Sequence, residues 1–447
     1  MSFAFEKGTA PKIAFVTMGC AKNEVDSNRM QSDLRHAGFA VVEDPADADA
    51  VIVNTCSFIQ SATEESIEAI FEVSGLPNVS DGAPLIVAGC MPARYGDDLS
   101  SELTEAAAFV PCSKEDDIVS VVASALRLSE EEVSAIAAAS LGAVPEGAVS
   151  VNGAKPVSAY VKISDGCDRF CAYCTIPYIR GRYHSFPYED IRAEVADRVA
   201  EGVREIVLIA QDTGRWGQDF ETPSSLASLM DSLAGEFVDT WFRVMYIQPE
   251  GVTDELLDAV VAHDNICNYF DIPLQHVKQH LLEAMRRKGS LDEYLALMNR
   301  VRERVPGVVL RTTLIAGFPG ETDEDFEELC DFVEEGLFDY VGVFAYSREE
   351  GTKAYSLPDQ VDEDEKADRA QRLRDIADGV CTALVANRCG NTYDVLIEGR
   401  EEDGQLFGRA MCQAPEVDGV TYVGSGKPGD IVTVKIADTL LYEMEAE

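Results

Sequence analysis

The 447-residue sequence has few basic residues. It contains 37 lysines and arginines against 80 aspartates and glutamates, so its formal net charge is −43. A surface that binds nucleic-acid phosphates needs lysine and arginine, so this shortage disfavours an extended phosphate-binding surface. It favours a basic partner, because opposite charges steer association and make an interface complementary. Solubility or an acidic proteome would account for the total charge equally well.

Long hydrophobic runs are also missing. No stretch of eighteen apolar residues occurs, so we expect no membrane-spanning helix and no membrane partner. Residues 1–10 include Glu6 and Lys7 and have no apolar core, so we expect no secretory signal. Twelve cysteines in such a chain indicate thiols and metal ligands in a reducing compartment, not a disulfide framework. Together these features predict a cytoplasmic protein.

Histidine is scarce as well, with five in the chain. His276 and His280 have the i, i+4 spacing of a zinc-binding helix. No glutamate or third ligand accompanies them, so no zinc site is predicted there.

Three of the cysteines form a compact group. Cys167, Cys171 and Cys174 have Cys-x3-Cys-x2-Cys spacing and follow an apolar, strand-like run at residues 159–163. Thiolates this close on one loop can ligate one iron–sulfur cluster. A four-iron cubane has four corners, so this loop leaves one iron for a ligand that is not protein, which indicates chemistry rather than electron storage. The alternative is a zinc knuckle, but zinc usually takes four ligands, and the next histidine is only His184.

A second group of cysteines follows three predicted strands of the amino-terminal region, at residues 12–17, 50–53 and 84–88. The cysteines at these strand ends are Cys20, Cys56 and Cys90. Consecutive strands of a parallel α/β sheet end at the same edge, so we expect the three thiols to converge on a second cluster site with one open iron. Three buried structural cysteines are the alternative. Cys112 lacks a preceding small-residue turn and is interpreted as structural.

The chain is too long for one core, and its pattern predicts an α/β protein of several domains. Residues 11–127 alternate strands and helices, which indicates a parallel-sheet domain, and residues 128–152 form a linker. Residues 153–383 contain six strand–helix units, which predicts a partial (β/α)6 barrel with its active site at the carboxyl ends of the strands. Short alternating strands in residues 384–447 predict a small antiparallel barrel of oligonucleotide-binding type.

The cysteine loop, with aromatic Tyr173 before its last cysteine, resembles the signature of the radical S-adenosylmethionine (SAM) enzymes. Its surroundings resemble the methylthiotransferase branch, and within it the RimO type. The segments that carry this likeness are Lys162-Ile163-Ser164-Asp165-Gly166-Cys167 and Thr175-Ile176-Pro177-Tyr178-Ile179-Arg180-Gly181. Gly19-Cys20-Ala21-Lys22-Asn23 and Asn54-Thr55-Cys56 resemble the amino-terminal domain of that family. The last region resembles its TRAM domain, so the likeness covers nearly the whole chain.

The resemblance implies SAM and two [4Fe-4S] clusters, one on each cysteine group. The loop cluster would split SAM into methionine and a 5′-deoxyadenosyl radical that takes a hydrogen from the substrate, and the auxiliary cluster would carry the methylated sulfur. Tyr173 is expected to contact the adenine and Arg180 to pair with the SAM carboxylate. Residues 317–321 resemble the loop that borders SAM. An electron donor such as flavodoxin or ferredoxin is implied.

Two other classes compete for a chain with two clusters. One is an electron carrier, and the other is a SAM enzyme that uses its second cluster only to conduct electrons. A carrier needs neither a six-unit barrel nor clusters with open corners, so an enzyme is expected.

The RimO type modifies the β-carbon of an aspartate in small-subunit ribosomal protein twelve. The same architecture occurs in tRNA adenosine methylthiotransferases of the MiaB or MtaB type, which are the alternative. Residues 384–447 contain five basic and twelve acidic residues, a net charge of −7. An RNA-binding barrel needs a positively charged groove, whereas an acidic barrel suits a basic protein. The expected partner is therefore a basic ribosomal protein of the small subunit, with tRNA as a partner only under the alternative.

Overall fold

The computed structural model describes residues 10–140 and 156–447. They form two compact units. The first contains residues 10–140 together with Gly166–Asp168 and Cys174–Arg182. The second contains the remaining described residues, through Glu447. Most of the predicted linker, residues 141–152, and the predicted start of the central domain at 153 lie outside the described residues.

The first unit is built on a five-stranded sheet in which every neighbouring pair of strands is parallel, in the order β2-β1-β3-β4-β5. The strands are β1 Lys12–Thr17, β2 Ala40–Val42, β3 Ala50–Thr55, β4 Leu85–Gly89 and β5 Ala108–Pro111. The three strands predicted to end at cysteines are β1, β3 and β4, and they are adjacent. The parallel α/β domain expected from the sequence is confirmed.

Both faces of this sheet are buried, which explains its continuous apolar strands. Successive side chains of a strand point to opposite faces. Val51 and Val53 of β3 therefore pack in one core cluster, and Ile52 packs in the other. The helices of the unit are α1 Ala21–His36, α2 Gln60–Ser74, α3 Pro77–Ser80, α4 Cys90–Tyr95, α5 Asp97–Glu102, α6 Ile118–Ala125, α7 Glu130–Ser140 and α8 Ile176–Ile179.

The second unit begins with six parallel strands in two three-stranded sheets, β10-β9-β6 and β11-β12-β13. A parallel bridge between Phe242 and Ile266 joins the end of one sheet to the start of the other. The strands are β6 Ser158–Lys162, β9 Glu205–Ile209, β10 Trp241–Val244, β11 Tyr269–Asp271, β12 Val309–Ala316 and β13 Tyr340–Ala345, with the two-stranded ribbon β7 Ser164–Asp165 and β8 His184–Ser185 beside them. This is the partial barrel of six units that was predicted.

Helices follow the barrel strands and pack against them around a large apolar core. They are α9 Tyr188–Glu201, α10 Leu226–Glu236, α11 Asp254–Ala262, α12 Gln279–Ala284, α13 Leu291–Arg304, α14 Asp323–Glu334 and α15 Glu363–Ala386. No helix in the two described ranges combines the length and the apolarity needed to cross a bilayer.

The carboxy-terminal strands close into a five-stranded barrel in the order β14-β15-β16-β18-β17. They are β14 Thr392–Arg400, β15 Leu406–Ala410, β16 Thr421–Val423, β17 Ile431–Leu440 and β18 Glu443–Ala446. Four neighbouring pairs are antiparallel, and β16 and β18 are parallel. Directions cannot alternate all the way around a ring with an odd number of strands, so one parallel pair is required. The predicted small barrel is confirmed with this one exception to its antiparallel pairing.

Candidate active site and auxiliary metal centre

The carboxyl edge of the first sheet carries a row of cysteines. The register of β3, β4 and β5 places Thr55, Gly89 and Pro111 side by side. The residue after each of them is a cysteine at the same level of the sheet. These cysteines are Cys56, Cys90 and Cys112. The predicted convergence at this edge therefore extends to Cys112, which its local sequence alone assigns a structural role.

Cys20 joins this row from β1 through a tight turn at Gly19. Gly19 has φ +91°, and a Cβ there would lie 2.4 Å from the Cβ of Cys56, so only glycine fits. Burial, together with the nearby charges of Cys90 and Cys20, raises the pKa of Cys56 to about 12. The turn that leads into Cys20 therefore packs directly against Cys56.

Two buried asparagines tie the strand ends together. The Asn23 amide nitrogen donates to the carbonyls of Met18 and Thr55, each at 2.9 Å, and so joins the ends of β1 and β3. The Asn54 amide nitrogen donates to the Asn23 carbonyl and to Ser27 Oγ, also at 2.9 Å. Their structural role could have been suspected from their position beside Cys20 and Cys56, but their partners required the fold.

Arg180 also lies in the first unit, with its side chain 2% exposed. Its Nη2 donates to Asn23 Oδ1 and Asp26 Oδ2, both at 2.8 Å, and lies 3.8 Å from Cys90 Sγ. The Cys112 thiol, which donates to Cys90, and the Arg180 charge together lower the pKa of Cys90 to about 7, against the effect of burial. Arg180 therefore places a positive charge beside the amino-terminal thiols, and its pairing with a SAM carboxylate stays a prediction.

The row at this edge consists of cysteine thiols, the ligand type that iron–sulfur clusters take. No three histidine, cysteine, aspartate or glutamate side chains of residues 10–140 and 156–447 converge closely enough to bind one metal ion. A cubane gives each thiolate its own iron, so its cysteines stand apart by the width of the cluster. Cys20 occupies the N-cap position of α1 without a side-chain cap hydrogen bond, and Cys90 is the first residue of α4.

The other predicted group, Cys167, Cys171 and Cys174, lies on the loop after β7. Gly166, at φ +70°, precedes Cys167, and a Cβ there would lie 2.2 Å from the carbonyl oxygen of Arg182. The Cys167 amide donates to the Gly181 carbonyl at 3.1 Å. Cys167 is buried, whereas Cys171 and Cys174 are partly exposed. The start of the loop is therefore held by backbone contacts that only glycine permits.

Arg169, within the loop, contacts the carboxyl ends of two barrel strands. Its Nε lies 2.5 Å from Asp212 Oδ2, beyond β9, and its Nη1 lies 3.1 Å from Glu250 Oε1, beyond β10. Burial raises the pKa of Asp212, and Arg169 opposes that shift. Arg169 therefore joins two acidic residues from separate strand-end loops of the barrel.

The same edge of the barrel carries buried acceptor oxygens. Gln211 Oε1, Asp212 Oδ1 and Gln248 Oε1 are buried and have no hydrogen-bond partner within the described chain. Buried polar atoms are normally paired, so these three fit a ligand that donates hydrogen bonds. SAM carries an ammonium group, a sulfonium and ribose hydroxyls, and its positive charge suits oxygen acceptors that include a carboxylate. The barrel edge therefore fits SAM.

Tyr173 packs against a small apolar cluster that includes Phe318 and Tyr346. Phe318 belongs to the loop after β12, which the resemblance places beside SAM. Glu321 accepts from the Gly317 amide through both carboxylate oxygens, at 2.9 and 3.0 Å, and so closes this loop on itself. Tyr173 and the loop are thus adjacent, as a shared adenine site requires.

Models of three protein families match the chain. The uncharacterized protein family UPF0004 matches residues 12–111, the Radical SAM superfamily matches residues 161–333, and the TRAM domain matches residues 389–447. The three matches follow the order of the predicted domains, whose exact boundaries stay predictions.

Full-length relatives decide the family. A protein of Trichlorobacter lovleyi named ribosomal protein uS12 methylthiotransferase RimO is 39% identical over 98% of both chains. The chain belongs to the RimO methylthiotransferase family. RimO proteins of Clostridioides difficile and an Anaeromyxobacter species are 39% and 40% identical over 97% of this chain and over 98% and 92% of their own. The radical SAM methylthiotransferase predicted from the sequence is thereby confirmed, and its family uses SAM and iron–sulfur chemistry.

Solved structures share the fold of this RimO-family chain at low identity. The radical SAM methyltransferase TsrM of Kitasatospora setae, solved with cobalamin and a [4Fe-4S] cluster, has a TM-score of 0.54 and 15% identity. That match covers 77% of this chain and 74% of TsrM. The cobalamin-dependent SAM radical enzyme OxsB has a TM-score of 0.51 and 12% identity, covering 82% of this chain and 56% of its own.

Proposed function

We propose that this chain transfers a methylthio group to the β-carbon of an aspartate in ribosomal protein uS12. The observation that carries the proposal is the 39% identity, over 98% of the chain, to a relative named for uS12 methylthiotransfer. Identity of this extent covers both cysteine groups, the barrel and the carboxy-terminal domain together.

Two [4Fe-4S] clusters are proposed as resident cofactors. Cys167, Cys171 and Cys174 hold the first, and Cys20, Cys56 and Cys90 hold the auxiliary cluster. When bound, the clusters and SAM supply the radical that activates the substrate carbon and the sulfur that is transferred. The reductant is a small one-electron donor of the flavodoxin or ferredoxin type.

The protein orients SAM through residues on the barrel edge. The acceptor oxygens of Gln211, Asp212 and Gln248 accept hydrogen bonds from the donor groups of SAM. Tyr173 and Phe318 form an apolar surface against which the adenine packs. Arg169 neutralises Asp212 and attaches the cysteine loop to the barrel strands. A site that is buried in this way also keeps water from the reacting atoms.

The charge of the carboxy-terminal barrel supports a protein substrate. Of its five basic residues, Arg388 and Arg409 are buried in ion pairs with acidic residues of the central barrel, and Lys435 pairs with Glu447. Three basic residues, Arg400, Lys427 and Lys435, are exposed on this barrel, and its exposed acidic residues outnumber them. An RNA backbone is repelled by such a surface, whereas a lysine- and arginine-rich ribosomal protein is attracted.

The test offers reduced enzyme and SAM either uS12 or unmodified tRNA and measures both products by mass spectrometry. The proposal requires a methylthio mass gain on an aspartate peptide of uS12. The matched control is the triple variant Cys167→Ala, Cys171→Ala, Cys174→Ala, which should give no gain. A gain on tRNA with uS12 unchanged would overturn the substrate and leave the cluster chemistry standing.

A further inference from the structure

Arg180 lies beside one of the proposed ligands of the auxiliary cluster, within the first unit. Its Nη2 is 3.8 Å from Cys90 Sγ, a hydrogen-bonding distance for sulfur. The same nitrogen donates to Asn23 Oδ1 and Asp26 Oδ2, each at 2.8 Å. A permanent positive charge is therefore held one side chain away from any iron that Cys90 binds.

The two oxygen acceptors of Arg180 are themselves fixed in place. The Asn23 amide nitrogen donates to two backbone carbonyls, so its oxygen is turned towards Arg180 and lies 3.6 Å from Cys90 Sγ. Asp26 follows Asn23 by three residues on α1, and residues with this spacing share a helix face. One face of α1 therefore orients the guanidinium towards the thiol.

Stability alone gives little reason for this ion pair. The side chains of Arg180 and Asp26 are each 2% exposed. Burying two charges costs desolvation energy, and apolar residues of similar volume are often equally or more stabilising. A buried arginine beside a cysteine is explained if that cysteine is a thiolate, because metal ligands are deprotonated and charge strengthens a hydrogen bond.

We propose that Arg180 is a positioning residue that sets the reduction potential of the auxiliary cluster by donating to the Cys90 thiolate. This inference rests on the auxiliary cluster proposed above. One electron from the proposed donor adds one negative charge to the cluster, and hydrogen bonds to the sulfurs tune the potential at which this happens. The Arg180 charge favours the reduced state, and the Asp26 carboxylate partly offsets that effect. The two members of the pair therefore act on the potential in opposite directions.

The experiment isolates the auxiliary cluster in a parent protein whose loop cysteines are replaced, with Cys167→Ala, Cys171→Ala and Cys174→Ala. Arg180→Gln, Arg180→Lys and Asp26→Asn are each added to this parent. Iron content is measured first. The midpoint potential is then obtained by titration with dithionite, followed by electron paramagnetic resonance of the reduced cluster. Arg29→Gln is the control, because it removes an exposed positive charge from α1.

Arg180→Gln should keep the iron of the parent and move the midpoint potential to a more negative value. The expected shift is at least tenfold in the one-electron equilibrium, which is 59 mV. Arg180→Lys keeps the charge and should shift the potential by less than half as much. Asp26→Asn should move the potential to a more positive value, and Arg29→Gln should leave it unchanged.

An unchanged potential in Arg180→Gln at full iron content would overturn the proposal. A tenfold weaker affinity for SAM in the same substitution, made with all six cysteines present, would then assign Arg180 to the SAM carboxylate. If Arg180→Gln loses its iron, Asp26→Asn decides, because an unchanged or more negative potential contradicts an effect of charge. Loss of iron in every Arg180 and Asp26 variant, with iron kept in Arg29→Gln, would show a structural role and overturn the proposal.

Failure of the proposed function gives a different result. A parent without iron would overturn the auxiliary cluster itself. The uS12 assay tests the substrate separately, since it uses the protein with both cysteine groups intact.

Discussion

At the scale of single residues, the proposed auxiliary centre depends on glycines that allow the strand ends to approach one another. Gly89 is the residue before Cys90 and has φ +93°. A Cβ at this position would lie 2.2 Å from Asn54 Oδ1 and 2.7 Å from the Thr55 carbonyl oxygen. The Asn54 side chain cannot move away without losing the hydrogen bonds that its amide nitrogen donates to the Asn23 carbonyl and to Ser27 Oγ. The position of Cys90 therefore depends on the missing side chain before it.

Gly89→Ala should lower stability and reduce the iron bound by the first unit, because the new methyl group displaces the end of β4. Gly96→Ala is a matched control, since Gly96 also has a positive φ, +55°, but a Cβ added there would meet nothing within 4 Å. Iron content and thermal unfolding of the two variants are compared after reconstitution. Equal iron loss in both would show that backbone conformation, not the contact with Asn54, is responsible.

At the scale of elements, the loop between β12 and α14 is held by one carboxylate. Both carboxylate oxygens of Glu321 accept hydrogen bonds from the Gly317 amide. Its Oε1 also accepts from Arg369 Nη1 at 2.9 Å, and its Oε2 lies 3.3 Å from His276 Nε2. His276 Nδ1 accepts two backbone amides, so the ring proton lies on Nε2 and faces this carboxylate. Three neighbouring elements thus meet at a buried glutamate that does not itself need to touch SAM.

Glu321→Gln should weaken SAM binding about tenfold. A hydrogen bond to a charged group contributes about 1.5–3 kcal/mol, and the glutamine NH2 would oppose the donors of Gly317 and Arg369. The dissociation constant of SAM is measured on reconstituted protein, with Glu324→Gln, an exposed site in the first turn of α14, as the control. Unchanged affinity in Glu321→Gln would exclude a positioning role for this residue.

At the scale of the whole molecule, the carboxy-terminal barrel is joined to the central barrel by buried charge, and both belong to the second unit. Glu205, at the start of β9, pairs with Arg243 at 2.9 Å and with Arg409 of β15. Arg243 Nη1 also donates to the Met411 carbonyl at 3.0 Å. Burial alone would raise the pKa of Glu205, but Arg409 and Arg243 lower it to about 2.

Glu205→Gln should destabilise the protein by about 3–5 kcal/mol at pH 7, because breaking the buried ion pair removes the carboxylate of Arg243 and leaves Arg409 with Glu398 alone. The folded pKa is below the ordinary value of 4.5. The contribution of Glu205 is therefore complete above about pH 4.5 and is lost as the pH falls towards 2.

Urea unfolding at pH 7, 4.5 and 3 measures the difference between the variant and the natural protein, which should shrink at the lowest pH. Glu236→Gln, which removes an exposed partner of Arg192, is the control and should change stability little at any pH. A difference that stays constant from pH 7 to pH 3 would contradict the proposed ionisation of Glu205.

Much of the fold could be predicted because it depends on local pattern. Continuous apolar runs such as β3 and β9 identify buried parallel strands, and cysteines directly after them identify a common edge. The short strands β2 and β5 escape prediction, since three or four residues carry little periodic signal. The start of helix α1 at Ala21 also escapes prediction, because Cys20 at its N-cap is not a usual capping residue.

The sequence by itself determined the chemistry available to this protein: two groups of three cysteines, an acidic carboxy-terminal barrel, and a charge balance unsuited to RNA. These follow from residue identity and short spacing, which need no knowledge of distant neighbours. Only the tertiary structure decided that Cys112 stands beside Cys90, that Arg180 faces Asp26, and that Glu205 joins two barrels. Each of these contacts joins residues from separate elements, and strand order, register and helix packing bring them together across long stretches of chain.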